Sequence, residues 1–347
     1  MEHPAQSAEN RLPPLRSRPL AATLIIVLGL AALVLCLGLS VSVGAASIKL
    51  TTVWEAVFRF NGDLTSHQII RELRLPRALA GALVGAAFAT AGAIMQGMTR
   101  NPLADPGLLG INAGAGLALA LCFAFYPSLS FNGLIGFSFI GAALGAALVF
   151  GIGSASRGGL TPAKLALAGA TVMALLNSLS EAISIHFRIG QQLAFWYAGG
   201  MAGIKWSQLA YMAPWIVVGL FGAIALSRSI TLLSLGEETA AGLGVRTGLV
   251  KLLAVVVVLV LAGSSVAAVG SIGFVGLVIP HISRFLVGVN YKWIIPCSAV
   301  LGSLLIVLAD IAARMINPPS ETPVGALIAL IGVPFFLYLV RRVRREM

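Results

Sequence analysis

Ionisable side chains are scarce in this 347-residue chain, where charged residues make up 10 % and hydrophobic residues 58 %. Each acidic group inside an apolar run therefore raises a question of function, because an ionisable residue in a membrane span is a functional hypothesis by default. Glu181 and Asp310 are the two acidic candidates of this kind. Asn177, Ser178 and Glu181 share one run, with 177 and 181 on one helix face. They suit either the lining of a polar pathway or a structural hydrogen bond near the outer surface. Asp310 stands one helical turn before Arg314, a spacing at which a carboxylate orients a guanidinium.

Other chemistries lack their patterns. No G-x-x-x-x-G-K-[ST] loop, H-E-x-x-H pair, C-x-x-C pair or Ser/His/Asp set at a recognisable spacing occurs. The four histidines, at 3, 67, 186 and 281, fall in different segments, so no metal site is expected; His281, after Pro280, is expected to be structural. Cys36, Cys122 and Cys297 lie in apolar runs, and an odd number cannot close a disulfide framework. They are expected to be small core residues.

The elements that hold these groups must be membrane helices. A bilayer core of roughly 30 Å takes about 20 apolar residues per helix, and the mean hydropathy is +0.96. Backbone polar groups in lipid must be satisfied within the structure, and no alternating ten-residue segments of a β-barrel are visible. The expected fold is an all-α polytopic bundle of ten spans, near 20–43, 78–98, 107–126, 131–153, 163–187, 208–228, 248–268, 271–289, 294–314 and 324–341. Residues 1–19 form a cytoplasmic N-terminal tail, 20–341 the membrane domain and 342–347 a basic cytoplasmic tail. The first run is too long for a signal-peptide core and is taken as a retained helix. The segment from there to Arg77 is expected to be a partly helical external loop.

Charge placement supports this topology. With both termini in the cytoplasm, 15 of the 23 Lys and Arg residues fall on the inside, as the positive-inside rule requires. The net charge of +11 thus follows topology and calls for no nucleic acid. Arg71, Arg74, Arg77 and Arg314 are the exceptions, lying outside and close to helix ends. Glycines at close-packing spacing, Gly81/Gly85, Gly110/Gly114, Gly141/Gly145 and Gly199/Gly203, predict tight helix contacts within the chain. Trp196, Tyr197, Trp206 and Tyr211 suggest an interfacial aromatic belt or a ligand-facing platform. The polar loop 229–247 is expected to hold two short helices broken at Gly236 and at Gly242 and Gly244, with Glu237 and Glu238 opening one of them. It suits either docking into a groove on a partner or a solvated connector.

Several ordered motifs carry a family resemblance. They are R-L-P-R-A-L-A-G-A-L-V-G-A-A (74–87), A-G-A-I-M-Q-G followed by R-N-P-L-A-D-P-G-L-L-G (91–110), G-x-x-x-A-x-x-L-G (236–244), G-F-V-G-L-V-I-P-H-I-S-R (273–284), A-D-I-A-A-R (309–314) and P-x-G-A-L-I-A-L-I-G-V-P-F-F (323–336). Together they closely resemble the FecCD-type permeases of ABC importers for iron-siderophores, haem and cobalamin, over nearly the whole chain.

That resemblance implies a type II importer bundle of ten helices in the cell membrane. It also implies a second permease subunit, identical or paralogous, two cytoplasmic ATP-binding subunits carrying ATP and Mg, and an extracytoplasmic substrate-binding protein. No cofactor or catalytic site is expected on this chain. Arg74, Arg77 and Arg314 match arginines that pair with glutamates of the binding protein, with Arg71 assisting. The Leu235–Arg246 loop, including Leu235, Gly236, Glu237, Glu238, Ala240, Leu243, Gly244 and Arg246, matches the coupling helices that sit in a cleft of the ATPase. Asn101, Asp105 and Pro106 are expected to fix the cytoplasmic turn after the second span. Leu160 and Thr161 align with a cytoplasmic constriction, where Pro162 departs from the pattern. Asn177, Ser178 and Glu181 are the pathway candidates. An ion-coupled secondary transporter is the alternative from another class; it requires coupling-ion sites near the bilayer midplane, for which only Glu181 and Asp310 offer carboxylates.

Overall fold

Helices close their own backbone hydrogen bonds, which suits a chain this apolar. The computed structural model describes residues 17–44, 48–155, 161–317 and 322–346, and these are overwhelmingly helical, with no strand among them. The α-helices in order are α1 (Pro19–Ser42), α2 (Leu50–Phe58), α3 (Thr65–Ile69), α4 (Leu75–Thr99), α5 (Ile111–Phe125), α6 (Phe131–Ala155), α7 (Pro162–Phe187), α8 (Gly190–Tyr197), α9 (Trp206–Ser234), α10 (Glu237–Gly242), α11 (Thr247–Val258), α12 (Ser264–Val269), α13 (Val275–Val287), α14 (Tyr291–Ile316) and α15 (Val324–Glu346). Seven helical segments are long and apolar enough to cross a membrane, and Ile111–Phe125, Val275–Val287 and Val324–Leu337 are shorter apolar helices. Ten apolar segments therefore stand where ten spans are expected.

Their boundaries differ for local reasons. The span expected at 107–126 loses its first turn because Pro106–Leu109 is a 3-10 turn and Gly110 is left-handed at φ 73°. The span expected at 271–289 starts late because Phe274 is held at φ 67°, so α13 begins only at Val275. Helix α9 extends beyond both ends of 208–228, and α15 continues through the basic tail to Glu346. The segment before α4 is more helical than expected: α3 leads through a π turn at Ile70–Arg74 directly into α4. Pro76 lacks the N–H that would bond the carbonyl one α-turn back, and the Leu75 N–H reaches five residues back to the Ile70 carbonyl. Arg71, Arg74 and Arg77 consequently sit on one continuous helical rod rather than in a loop.

The centre of the bundle is α4. Every residue from Val84 to Thr99 is buried, as expected for a helix apolar on all sides. It packs against α9, α11, α13 and α14. Small residues permit this, since helices in lipid associate by close van der Waals contact. A Cβ on Gly85 would strike the Gly302 carbonyl of α14, and one on Gly114 would strike the Gly141 carbonyl of α6. The glycine pairs on α4, α5 and α6 thus serve packing within the chain. Gly199 and Gly203 lie outside helices with φ of 64° and 79°, so their spacing reflects turns; a Cβ on Gly199 would still strike the Ser271 carbonyl, whereas Gly203 faces open space.

One contact from α4 repairs a neighbour. Pro280 in α13 cannot donate to the Gly276 carbonyl four residues earlier. Gln96, 1 % exposed on α4, donates its Nε2 to that carbonyl at 3.1 Å and to the Leu277 carbonyl at 3.2 Å. A buried polar side chain here satisfies a break that lipid would leave open.

Candidate functional site

The outer end is organised by arginines, but their partners lie inside the chain. The last carbonyls of a helix have no intrahelical donor, and at the end of α1 guanidiniums supply one. Arg74 Nη1 donates to the carbonyls of Val41 and Ser42 at 2.8 and 2.9 Å. Arg314 Nη1 donates to those of Ser40 and Val43, both at 2.9 Å, and its Nη2 to Ser40 Oγ at 2.7 Å. Positive charge also suits a helix C-terminus electrostatically. Arg77 Nη2 and Arg314 Nη2 meet opposite oxygens of Asp310 at 2.8 and 3.1 Å.

Arg77 and Arg314, with side chains 11 % and 8 % exposed, are held within the bundle. They knit α1, α4 and α14 together around one carboxylate. The orienting role of Asp310 toward Arg314 is present and extends to Arg77. Arg71 is the exposed member; its guanidinium lies 4.4 Å from the Phe60 ring centroid, while its carbonyl accepts a bond from Trp206 Nε1 at 2.7 Å.

At the other end of α4, Arg100 turns the chain at φ 52°. Asn101 Oδ1 accepts from the Leu103 N–H at 2.9 Å, and Asp105 Oδ1 from the Gly107 N–H at 2.7 Å. These bonds set the turn, and Pro106 is buried at the start of the 3-10 segment. Burial pushes the Asp105 carboxyl above its usual range, while the Gly107 N–H pulls it back.

The loop after α9 holds one short helix, α10, where the sequence suggests two; beyond Leu243 to Arg246 the chain is already entering α11. Gly236 begins α10 at φ 135°, and Ala240 is fully buried against the bundle. Leu235 and Leu243 are 44 % and 61 % exposed, beside exposed Glu238, Gly244 and Arg246. An apolar pair within a polar rim suits insertion into a protein groove.

The described pathway candidates lie along α7, from its N-cap Thr161 to Glu181. Leu160 lies outside the described residues. Thr161 is exposed and caps α7, its Oγ1 accepting from the Lys164 N–H at 3.4 Å. Asn177, Ser178 and Glu181 are exposed on α7 rather than buried, on a face the described chain leaves uncovered. A cavity of about 420 Å³ opens between α5, α6, α8, α12 and the start of α15, lined by Arg77, Phe131, Gln192, Phe195 and Trp196 among others. Asp310 is engaged by two guanidiniums, which leaves it poorly suited to bind a coupling ion.

Two features escaped the sequence. Helix α8 is only eight residues long and lies within what the sequence presents as an aromatic connection; Tyr197 packs its hydroxyl against Gly116. Lys251 counts in the sequence as one more inner charge, yet its Nζ lies 2.6 Å from Glu237 Oε2. Their placement on either side of a helix break was the available signal.

Comparison with known proteins places this geometry. Residues 32–342 match the profile of the FecCD transport family. The chain is 56 % identical to the iron(3+)-hydroxamate import system permease protein FhuB of Bacillus subtilis, over 95 % of this chain and 86 % of that protein. It is 44 % identical to the iron-uptake system permease protein FeuB of the same organism, over 90 % and 93 %. Among solved structures it superposes with a TM-score of 0.81 and 30 % identity on an inward-facing ABC transporter described as of the metal-chelate type, covering 92 % of this chain and 99 % of that one.

Proposed function

The chain belongs to the FecCD transport family, a multi-pass membrane permease family, and on that premise we propose that it carries an iron-siderophore of the hydroxamate class across the cell membrane. The observation that carries the cargo assignment is the 56 % identity to FhuB over nearly the full length of both chains. Haem or cobalamin is the alternative cargo of the same importer class.

Transport needs no catalytic group on this chain. Two cytoplasmic ATP-binding subunits hold ATP and Mg and hydrolyse the nucleotide; the permease converts their closure into a change of access by differential stabilisation of two states. Leu235 and Leu243 seat α10 in the ATPase, with Glu238 and Arg246 on the rim and Gly244 permitting the turn. The uncovered α7 face with Asn177, Ser178 and Glu181 meets a second permease, identical or paralogous, and forms half of the pathway wall. Thr161 stands at its cytoplasmic mouth. Both termini are cytoplasmic, and an extracytoplasmic binding protein docks over the outer arginine cluster, with Arg71 and Arg74 more available to it than Arg77 and Arg314.

The test is uptake of a radio-iron trihydroxamate complex by liposomes holding the full complex. Replacing Glu237–Gly244 with a flexible linker is expected to abolish uptake while ATP hydrolysis persists. Uptake of haem or cobalamin but not the hydroxamate would overturn the cargo assignment. Movement of cargo by the chain alone down an ion gradient would overturn the importer reading itself.

A further inference from the structure

The Glu237–Lys251 contact joins two elements that the backbone leaves loosely connected. Helix α10 is six residues long, and it is flanked by Gly236 at φ 135° and Gly244 at φ 82°. Between these turns, α10 is held against the bundle by buried Ala240 and by the Glu237–Lys251 pair. Lys251 lies on α11 and is 8 % exposed, whereas the Glu237 side chain is 46 % exposed. The pair is therefore anchored on its lysine side and open on the other. Around it the cytoplasmic ends of several helices converge: Arg100 from the end of α4, Thr161 and Leu165 from α7 and Leu233 from α9 line the same small crevice.

Helix α11 itself does not run straight on. A π turn at Leu259–Gly263 separates it from α12, and π turns inside helices are frequent at functional sites. Beyond that turn Ala267, Ala268 and Val269 of α12 line the outer cavity. One helical path thus leads from the start of α10, through an ion pair, along α11 and across the π turn to the cavity wall.

We propose that Lys251 is a positioning residue for energy coupling, which fastens the start of α10 to α11 through Glu237 so that movement of α10 is handed to α11 and, across the Leu259–Gly263 turn, to the wall of the outer cavity. This rests on α10 contacting the ATPase. A merely structural lysine would stabilise the fold without fixing the α10–α11 geometry.

Spin labels at Thr239→Cys and Leu249→Cys, in a chain cleared of its three native cysteines, report that geometry directly. In the full complex the distance distribution is expected to be narrow and the same with and without nucleotide. In Glu237→Gln, whose altered side chain is half-exposed and compatible with folding, and in Lys251→Met, it is expected to broaden. Uptake per ATP hydrolysed should fall roughly five- to tenfold, the low end of a typical coupling energy. The exchange Glu237→Lys with Lys251→Glu is expected to restore both readouts. A distance that shifts with nucleotide in the parent chain, or a distribution equally narrow in Glu237→Gln, would overturn the proposal. Failure of the parent chain to retain the ATP-binding subunits would instead overturn the contact on which it rests, while broadening in Glu237→Gln on the chain alone would still support the fastening role.

Discussion

Arg77 and Asp310 stand 233 residues apart in sequence, yet Arg77 Nε and Nη2 both reach Asp310 Oδ1, at 3.0 and 2.8 Å. The carboxylate is 2 % exposed and also holds Arg314. It is the point at which α4 and α14 are joined electrostatically, above the contact of Gly85 with Gly302.

Breaking a buried pair by removing one partner leaves the other charge uncompensated, at about 3–5 kcal/mol. Asp310→Ala is therefore expected to lower the thermal unfolding midpoint in detergent strongly. The loss should exceed that of Arg71→Ala, which removes an exposed charge. Equal midpoints for the two variants would remove Asp310 from its structural role.

Gln96→Met keeps the side-chain volume but leaves the Gly276 carbonyl opposite Pro280 without its donor. An unsatisfied buried acceptor costs about 1–3 kcal/mol. The variant should unfold earlier, and the double variant Gln96→Met with Pro280→Ala should recover much of the loss, because an alanine in place of the proline restores the backbone N–H. No recovery would mean that Gln96 acts elsewhere.

Charge reversal at Arg71 is expected to weaken docking of the binding protein without affecting assembly with the ATP-binding subunits. One exposed pair is worth about 0.2–1 kcal/mol, so the affinity should drop by roughly 1.4- to 5-fold. Most of the change should appear in the association rate and shrink with added salt. Arg74→Glu should weaken docking as well, but it also uncaps α1, so its effect will be accompanied by a lower unfolding midpoint.

Much of this architecture was legible because lipid imposes simple rules. Apolar length located the spans, and glycine spacing such as Gly81/Gly85 announced close helix contacts. Boundaries failed where one backbone angle decided them, as at Gly110 and Phe274. Arg71, Arg74, Arg77 and Arg314 were recognisable as charges that the positive-inside rule does not explain. Apart from Asp310, readable one turn before Arg314, their partners were not: Ser40 and Val41, and the reach of Asp310 to Arg77, meet them only after α1, α4 and α14 pack. Lys251 was hidden for the same reason: its meaning depends on α10 folding back beside α11. The polar residues of α7 stood out in the sequence, but their exposure could be known only once the rest of the bundle was seen to leave that face open.

That open face bears on how the protein is made. An isolated copy inserted in a bilayer turns Asn177, Ser178 and Glu181 toward hydrocarbon, an environment in which polar groups find no water. Under the proposed pairing, the newly synthesised chain would be a metastable half-product, whose lifetime is set by how soon a second permease shields that surface. Mass action links its apparent stability to the abundance of its mate. With a paralogous partner, unequal synthesis of the two permeases would leave the surplus to membrane proteases, so subunit stoichiometry would be enforced after translation by the exposed face of one helix.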